Sequence, residues 1–401
     1  MDQFKHKPVN ATARDFWSNA YKAIGNANFA LEGIPKVPMN ETRKNQLLGE
    51  AHFLRGMLYF DLTRMFGDIP LVLSLTDPVY PNKATRADVY TQIIADLGFG
   101  EQNLPASYTP GNGLGRATSG AAKGLLAKVY LTQGNYAQAA ANCKAIIDSG
   151  VYSLWDKFDD AFKIVNANGK ENLFSIGFGV AGNSITFWEV GQFNVRLLPK
   201  ELSGEIPGVN AQGWQVANQN LYNSFDPQDR RRAATFITEI HNTNGSTKTV
   251  DPHIQKYWDK TLEPMGGNTE NDFQYLRYSD ILLMYAEALN EQNGGPTAAA
   301  YEAINAVRKR ARYDGTNELP ILPDLSGLSH DAFKDALLNE RRHEFVAEGQ
   351  RWFDLVRFNK LVESVTAAKS YATPQQFHVL FPIPQEELDL NNKLYPQNPG
   401  Y

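Results

Sequence analysis

A mainly α fold is what the periodicity of this sequence predicts. Apolar residues recur at helical spacing near both ends, and an alanine-rich helix–turn–helix lies between them. Only the stretch from Leu154 to about Glu270 loses the helical pattern. The expected organisation is one domain over residues 1–401. A helical scaffold covers about 11–150 and 271–363, a loop-rich segment with a few short strands covers about 151–270, and a tail covers 364–401.

Taken in order, Trp17, Tyr21, Ile24 and Asn28 form the first stripe, and Ala51, Leu54, Leu58 and Leu62 a second that Gly67, Asp68 and Pro70 terminate. After a proline-broken connection, Val89, Ile93, Ile94 and Leu97 mark a helix from Arg86 to Leu104, closed by Pro105. From Ser119 to Gly150, Ala127, Tyr130, Leu131, Gly134, Tyr136 and Ala139 resemble a tetratricopeptide unit. In such a unit small residues let two antiparallel helices approach, and an aromatic ring fills the gap. A second such unit is expected from Tyr275, with a turn at Asn293 to Pro296, Pro296 in the first helical turn, and a return over Ala299 to Arg312. A last long helix is predicted from about Asp331 to Leu361, its charges laced at intervals of three or four along an exposed face.

Composition excludes several classes. Hydrophobic residues at 42% and charged residues at 21% match an ordinary globular chain of 401 residues, so neither disorder nor a fibrous repeat is implied. The formal charge of -5, with lysines and arginines dispersed, argues against a nucleic-acid partner. The lone Cys143 rules out an internal disulfide and a cysteine-based metal site, and reads as a small buried hydrophobe. No apolar run approaches the ~20 residues of a membrane span, and the polar start from Met1 through Lys7 reads as neither signal peptide nor anchor.

Four segments and the ending carry a resemblance. LLGEAHFLRGMLYFDLTRMFGDIPLV (Leu47 to Val72), WSNAYKAIGNANFALEGI near the start, YLRYSDILLMYAEALNE, and NERRHEFVAEGQRWFDLVRF (Asn339 to Phe358) occur in the order, and the ending LFPIPQEELDLNNKLYPQNPGY in the form, that resemble SusD/RagB-like proteins. The resemblance implies a right-handed superhelix of tetratricopeptide-like helix pairs supporting an irregular face. It further implies a surface lipoprotein of the outer membrane that captures oligosaccharides, peptides or other nutrients and delivers them to a SusC-like TonB-dependent transporter. Family members carry a signal peptide, a lipid-bearing cysteine and several dozen residues ahead of the segment that begins here at Trp17. A trimmed or short N-terminus and a complete C-terminus are therefore expected.

Sugars present apolar C–H faces and rings of hydroxyls, so a capture site needs flat aromatic platforms with short polar side chains at their edges. The leading platforms are Trp188, Trp214 and Tyr222, with Phe187 and Phe193 as alternates. Asn194, Gln212 and Asn218 are the candidate hydroxyl partners, and Tyr80 and Asn82 are added from the loop after the Gly-Asp-x-Pro exit. Burial in a local core is the competing reading of every aromatic on this roll. Neither metal nor cofactor is expected. His343-Glu344 begins like a zincin helix but position 347 is Ala, Gly111-x-Gly113-x-Gly115 reads as a turn before a helix capped by Ser119, and no loop has calcium-ligand spacing.

The expected protein is thus a binder and not an enzyme. The alternatives are a glycoside hydrolase, for which Glu189, Glu201, Glu205, Asp226 and Asp229 supply carboxylates that nothing pairs and that default to solvated surface, and an intracellular tetratricopeptide scaffold holding a partner's peptide.

Overall fold

The structure, a computed structural model, describes residues 3–109, 111, 113–178, 191–203, 205, 211–258 and 269–401. In chain order α1 is Ala11–Gly33, α2 Glu41–Phe66, β1 Ile69–Pro70, β2 Lys83–Ala84, α3 Arg86–Asn103, α4 Ser119–Thr132 and α5 Tyr136–Asp148. The middle supplies β3 Asn172–Ile176, α6 Phe193–Leu197, α7 Gln219–Ser224, α8 Arg230–Thr235, β4 Phe236–His241, β5 Thr247–Ile254 and β6 Phe273–Arg277. Last come α9 Tyr278–Asn293, α10 Ala298–Ala311, α11 His330–Glu344, α12 Arg351–Arg357, α13 Leu361–Ala368 and α14 Gln385–Leu390. The fold is mainly α, built from helix pairs with a few short strands. The chain divides into two compact units, Met1–Asn142 with Trp352–Tyr401, and Cys143–Arg351. No helix among the described residues is long and apolar enough to cross a membrane.

In the first unit, side-chain oxygens of Asn10, Asn40, Thr85 and Thr118 accept the orphan N–H groups that open α1 to α4. Thr118, not the expected Ser119, is the cap of α4. The buried face of α2 runs through Ala51, Phe53, Met57, Tyr59, Phe60, Leu62 and Phe66, while Leu54 of the predicted stripe is 41% exposed. That face also buries a cation. The Arg55 guanidinium holds Asp96 with bonds of 2.7 and 2.9 Å and reaches Asn28 Oδ1 at 2.8 Å, and His52 Nδ1 lies 2.7 Å from the same carboxylate. These partners keep the Asp96 carboxyl below its usual range even though burial opposes ionisation.

The C-terminal motif closes α2. Asn398 donates to the carbonyls of Phe66 and Phe381 at 2.8 and 2.7 Å, and the Phe381 N–H donates to Met65 at 2.7 Å, satisfying the free end of the helix. Gly400 has φ +89°, and a Cβ there would fall 2.3 Å from the Phe377 ring, so only glycine fits between Pro399 and Tyr401. Buried beside this knot, His6 packs against Phe381, His378 and Tyr401 with no hydrogen-bond partner on either ring nitrogen. Burial lowers its pKa to about 4.

In the second unit β3 pairs antiparallel with β6 and β4 with β5. The helix pair α9 and α10 forms as predicted. It starts at Tyr278, because Tyr275 belongs to β6, and Pro296 precedes Thr297, which caps α10. The predicted long helix from Asp331 to Leu361 is instead three. Ala347 at φ +59° and Gly349 at φ +70° break the helical path between α11 and α12, and Asn359 at φ +54° breaks it again before α13. Its charges are not an exposed face either, since Glu340, Arg341, His343, Glu344 and Glu348 are buried.

Those buried charges meet cations from every part of the unit. Arg277, which ends β6, donates to Glu348 at 2.8 and 2.9 Å, to Glu171 at 2.7 Å and to Glu344 at 3.0 Å. Arg310 of α10 holds Glu171 at 2.8 Å and Glu344, while Arg231 of α8 holds Glu340 at 2.5 Å and Asp229 at 2.8 Å. Lys256 Nζ is 2.6 Å from Glu348, and Arg308 Nη1 2.9 Å from Glu340. Asp229, expected at the solvated surface, is therefore part of a closed ionic cluster. Desolvation tends to neutralise Glu344, but the three arginines outweigh it and hold its carboxyl well below the usual range. Around Lys256 burial wins, and its ammonium is pushed down to about 8.

Two outcomes follow. Glu344→Gln keeps the shape but leaves Arg231, Arg277 and Arg310 short of a counter-charge, and is expected to lower stability by about 3–5 kcal/mol in urea unfolding. Glu41→Gln, at an exposed pair, should shift it by less than ~0.5 kcal/mol. Acid sensitivity is the second. Burial and flanking arginines lower His343 to about 3 and burial lowers His6 to about 4, both from 6.5. As pH falls from 6.5 the unfolded chain takes up protons that the folded chain refuses, so stability present at neutral pH drains away down to those values. Glu344 adds a loss of the same sign below about 4.5, the carboxyl's ordinary value. Melting curves should shift steadily downward between about pH 7 and pH 4.5. An unchanged midpoint would contradict the neutral, buried state of these imidazoles.

Candidate glycan-binding site

The segment from Ala211 to Ala217 is a strap pinned at several points in the second unit. Ala211 packs with Leu198, Leu202, Ile237 and Ile240. The Trp214 N–H donates to the Arg196 carbonyl at 2.8 Å, Val216 bridges to His253 of β5, and the Ala217 N–H donates to Pro252 at 2.7 Å. Gly213 turns the strap at φ +60°, where a Cβ would approach His253 Nε2 to 3.1 Å. The backbone is thus held while the side chain is not covered, and the Trp214 indole stands 64% exposed. That is unusual for a residue that is highly buried on average. The Arg196 guanidinium carbon lies 5.2 Å from the indole centroid, within cation–π range, and Gln212 is exposed two residues away on the strap. An accessible aromatic plane with charged and amide donors beside it can stack on a sugar's C–H face and bond its hydroxyls.

The other candidate residues have different surroundings. Phe193 stacks on Tyr257 at 4.4 Å and 18° and, with Tyr222, packs onto the apolar cluster of Phe158, Phe162, Phe225, Phe236 and Tyr257. Tyr222 meets Phe236 edge-on at 5.5 Å and lies 4.1 Å from the Arg232 guanidinium. The Asn218 side-chain oxygen accepts from the Asn220 N–H at 2.7 Å, capping α7. Phe187 and Trp188 lie outside the described residues, as does the side chain of Asn194. Tyr80 and Asn82 are exposed in the first unit, where the Tyr80 and Pro81 carbonyls accept from Lys393 and Asn391. Sequence reasoning did not single out Arg196, since only the folded strap brings it behind Trp214.

Four of the five carboxylates that a hydrolase reading draws on are described. Glu205 accepts from the Thr243 N–H at 3.0 Å, Glu201 faces Lys248 at 3.8 Å, Asp226 accepts from the Gln228 N–H at 2.8 Å, and Asp229 is in the ionic cluster; Glu189 lies outside the described residues. Ser224 and His343 do form a close pair, with Oγ 3.0 Å from Nε2. The hydroxyl oxygen also lies 2.7 Å from the Leu221 carbonyl, to which it can donate in place of the imidazole. Among the described residues no group of three or more His, Cys, Asp or Glu side chains is arranged to hold a metal ion. Gly111, Gly113 and Gly115 all have positive φ, as the turn reading requires.

Helix pairs carrying an irregular segment with an exposed tryptophan define a mainly α class of protein. Residues 209–401 match the family model described as the SusD family, and residues 2–131 the model described as "Starch-binding associating with outer membrane". A SusD-like protein of Formosa agariphila, P2, is 30% identical, aligned over 100% of this chain and 83% of its own length. Among solved structures, a laminarin-binding SusD-like protein superposes with TM-score 0.80 at 29% identity, covering 97% of this chain and 86% of that one. Surface glycan-binding protein A from Bacteroides fluxus superposes with TM-score 0.83 at 26% identity, covering 100% and 87%. The chain belongs to the SusD-like family.

The packing separates the candidates by their effect on stability. Trp214→Ala removes an exposed ring and is expected to change unfolding stability by no more than ~0.5 kcal/mol. Phe193→Ala removes a stacked one and should cost ~2 kcal/mol or more, read from the same denaturation curves.

Proposed function

We propose that this chain is a surface-exposed protein of the outer membrane that captures oligosaccharides without cleaving them and passes them to a SusC-like TonB-dependent transporter. The observation that carries the reading is the Trp214 indole, held exposed on a pinned strap with the Arg196 guanidinium beside it. Family membership, together with relatives named for laminarin binding and for surface glycan binding, supports a saccharide as the ligand. Trp214 serves as the platform and Arg196 and Gln212 as edge donors. Trp188, Phe187 and Asn194 keep a proposed contact role, as do Tyr222 and Phe193, which pack onto the apolar cluster. Tyr80 and Asn82 keep a proposed contact role from the first unit. Because the site must release its cargo, the expected affinity is micromolar to millimolar, about -4 to -8 kcal/mol.

The test is a titration with laminarin-derived and other soluble oligosaccharides, following tryptophan fluorescence and reducing-end release together. Saturable fluorescence change without new reducing ends is expected, and Trp214→Ala should weaken it by about tenfold or more, the equivalent of ~1.4 kcal/mol. New reducing ends would turn the reading to a hydrolase. Co-purification with a TonB-dependent protein from outer membranes tests the hand-off, and failure of the two to associate under any ligand condition would overturn that part.

A further inference from the structure

A second aromatic recess lies in the same unit, away from the strap in sequence. Leu154, Trp155, Asp156, Ala306, Lys309 and Tyr313 line an open cleft of about 280 Å3 between the end of α10 and the residues that follow α5. Its size is just under the ~300–1,000 Å3 of pockets for drug-sized ligands, so it suits a single sugar ring better than a chain.

The Trp155 wall is fixed from behind. Its backbone N–H donates to Glu171 Oε2 at 3.0 Å, and Glu171 is clamped by Arg277 and Arg310 in the ionic cluster. Arg310 itself forms part of the cleft lining. Gly169 keeps room for the indole, because a Cβ there would stand 2.8 Å from Trp155 Cζ2 and from the Asn166 carbonyl oxygen. Lys170 Nζ is 4.9 Å from the indole centroid and does not line the cleft. A rigid aromatic wall lowers the ordering cost of stacking a ligand.

The polar groups choose among ligands. Lys309 is already paired with Glu318 at 3.0 Å, and the Asp156 side chain is 84% exposed with only a long 3.9 Å contact to Lys170. An anionic sugar would meet the Asp156 carboxylate with no unpaired cation to offset it, whereas vicinal hydroxyls of a neutral sugar can donate to that carboxylate and accept from Lys309.

We infer that the Trp155–Tyr313 cleft is a second saccharide site that takes one neutral pyranose ring, stacked on Trp155 with its hydroxyls on Asp156 and Lys309. It holds whether or not Trp214 is a platform. The test labels the full chain with 5-fluorotryptophan, assigns the Trp155 resonance by its loss in Trp155→Phe, and titrates methyl glucopyranoside, methyl galactopyranoside and methyl mannopyranoside through the millimolar range. At least one should move the Trp155 resonance saturably, equally in the parent and in Trp214→Ala, while Asp156→Asn weakens that response about tenfold. Asp156→Asn is an exposed substitution, so its folding is checked by unchanged positions of the remaining tryptophan resonances. A Trp155 resonance that stays still or drifts linearly with all three glycosides would overturn the inference, as would an undiminished response in Asp156→Asn. Neither outcome bears on the oligosaccharide titration at Trp214.

Discussion

The buried ionic cluster around Arg277 is the constraint on which the second unit depends. Four arginines and a lysine from α8, β5's exit, β6 and α10 meet five carboxylates from the approach to α8, the approach to β3, α11 and the break after it. Each charge is expensive to desolvate alone, and their attraction offsets that only when all partners are in place. The cluster is therefore a weak source of net stability but a strong specifier of arrangement. A misplaced strand or helix would strand a charge in a low-dielectric interior.

The cluster also explains how loops can act as rigid supports. Aromatic rings pack over its cations, with Lys256 4.4 Å from the Phe162 centroid and Arg277 5.3 Å from it. The apolar cluster that Phe193 and Tyr222 join is built on the same rings. The short strands add the second fixation, for β4 and β5 carry the strap that lifts Trp214. A recognition surface made of irregular chain is thereby held by elements that are themselves locked by charge pairing and by a ladder. In the first unit Arg55 and Asp96 do the corresponding work between α2 and α3, and Asn398 ties the chain's last residues to the end of α2.

Much of the fold was legible because its signals are local. Helix positions follow from a 3.6-residue period and from breakers such as Gly67 and Pro105, and the turn at Gln133 to Asn135 follows from small residues at fixed offsets. The misreadings have one cause. Glu340, Glu344 and Glu348 have the spacing of a solvated, ion-paired helix face, but their partners are 32 or more residues away, so a local rule assigned them to solvent. Leu54 and Asp229 erred in the same way, one placed inside and one outside by patterns that ignore distant neighbours.

The candidate site divides along that line. Residue chemistry alone put Trp214 and Gln212 among ten candidates, and the terminal Gln-Asn-Pro-Gly-Tyr carried the family resemblance. What tertiary structure decided is exposure. Trp214, Tyr222 and Phe193 are equivalent as aromatic residues in a polar-rich segment, yet one stands in solvent beside Arg196 while the others lean on a shared core. Sequence determines which surfaces a side chain can offer, because that is fixed by its atoms. Whether a surface meets ligand or protein depends on which distant backbone passes over it, and only the folded chain settles that.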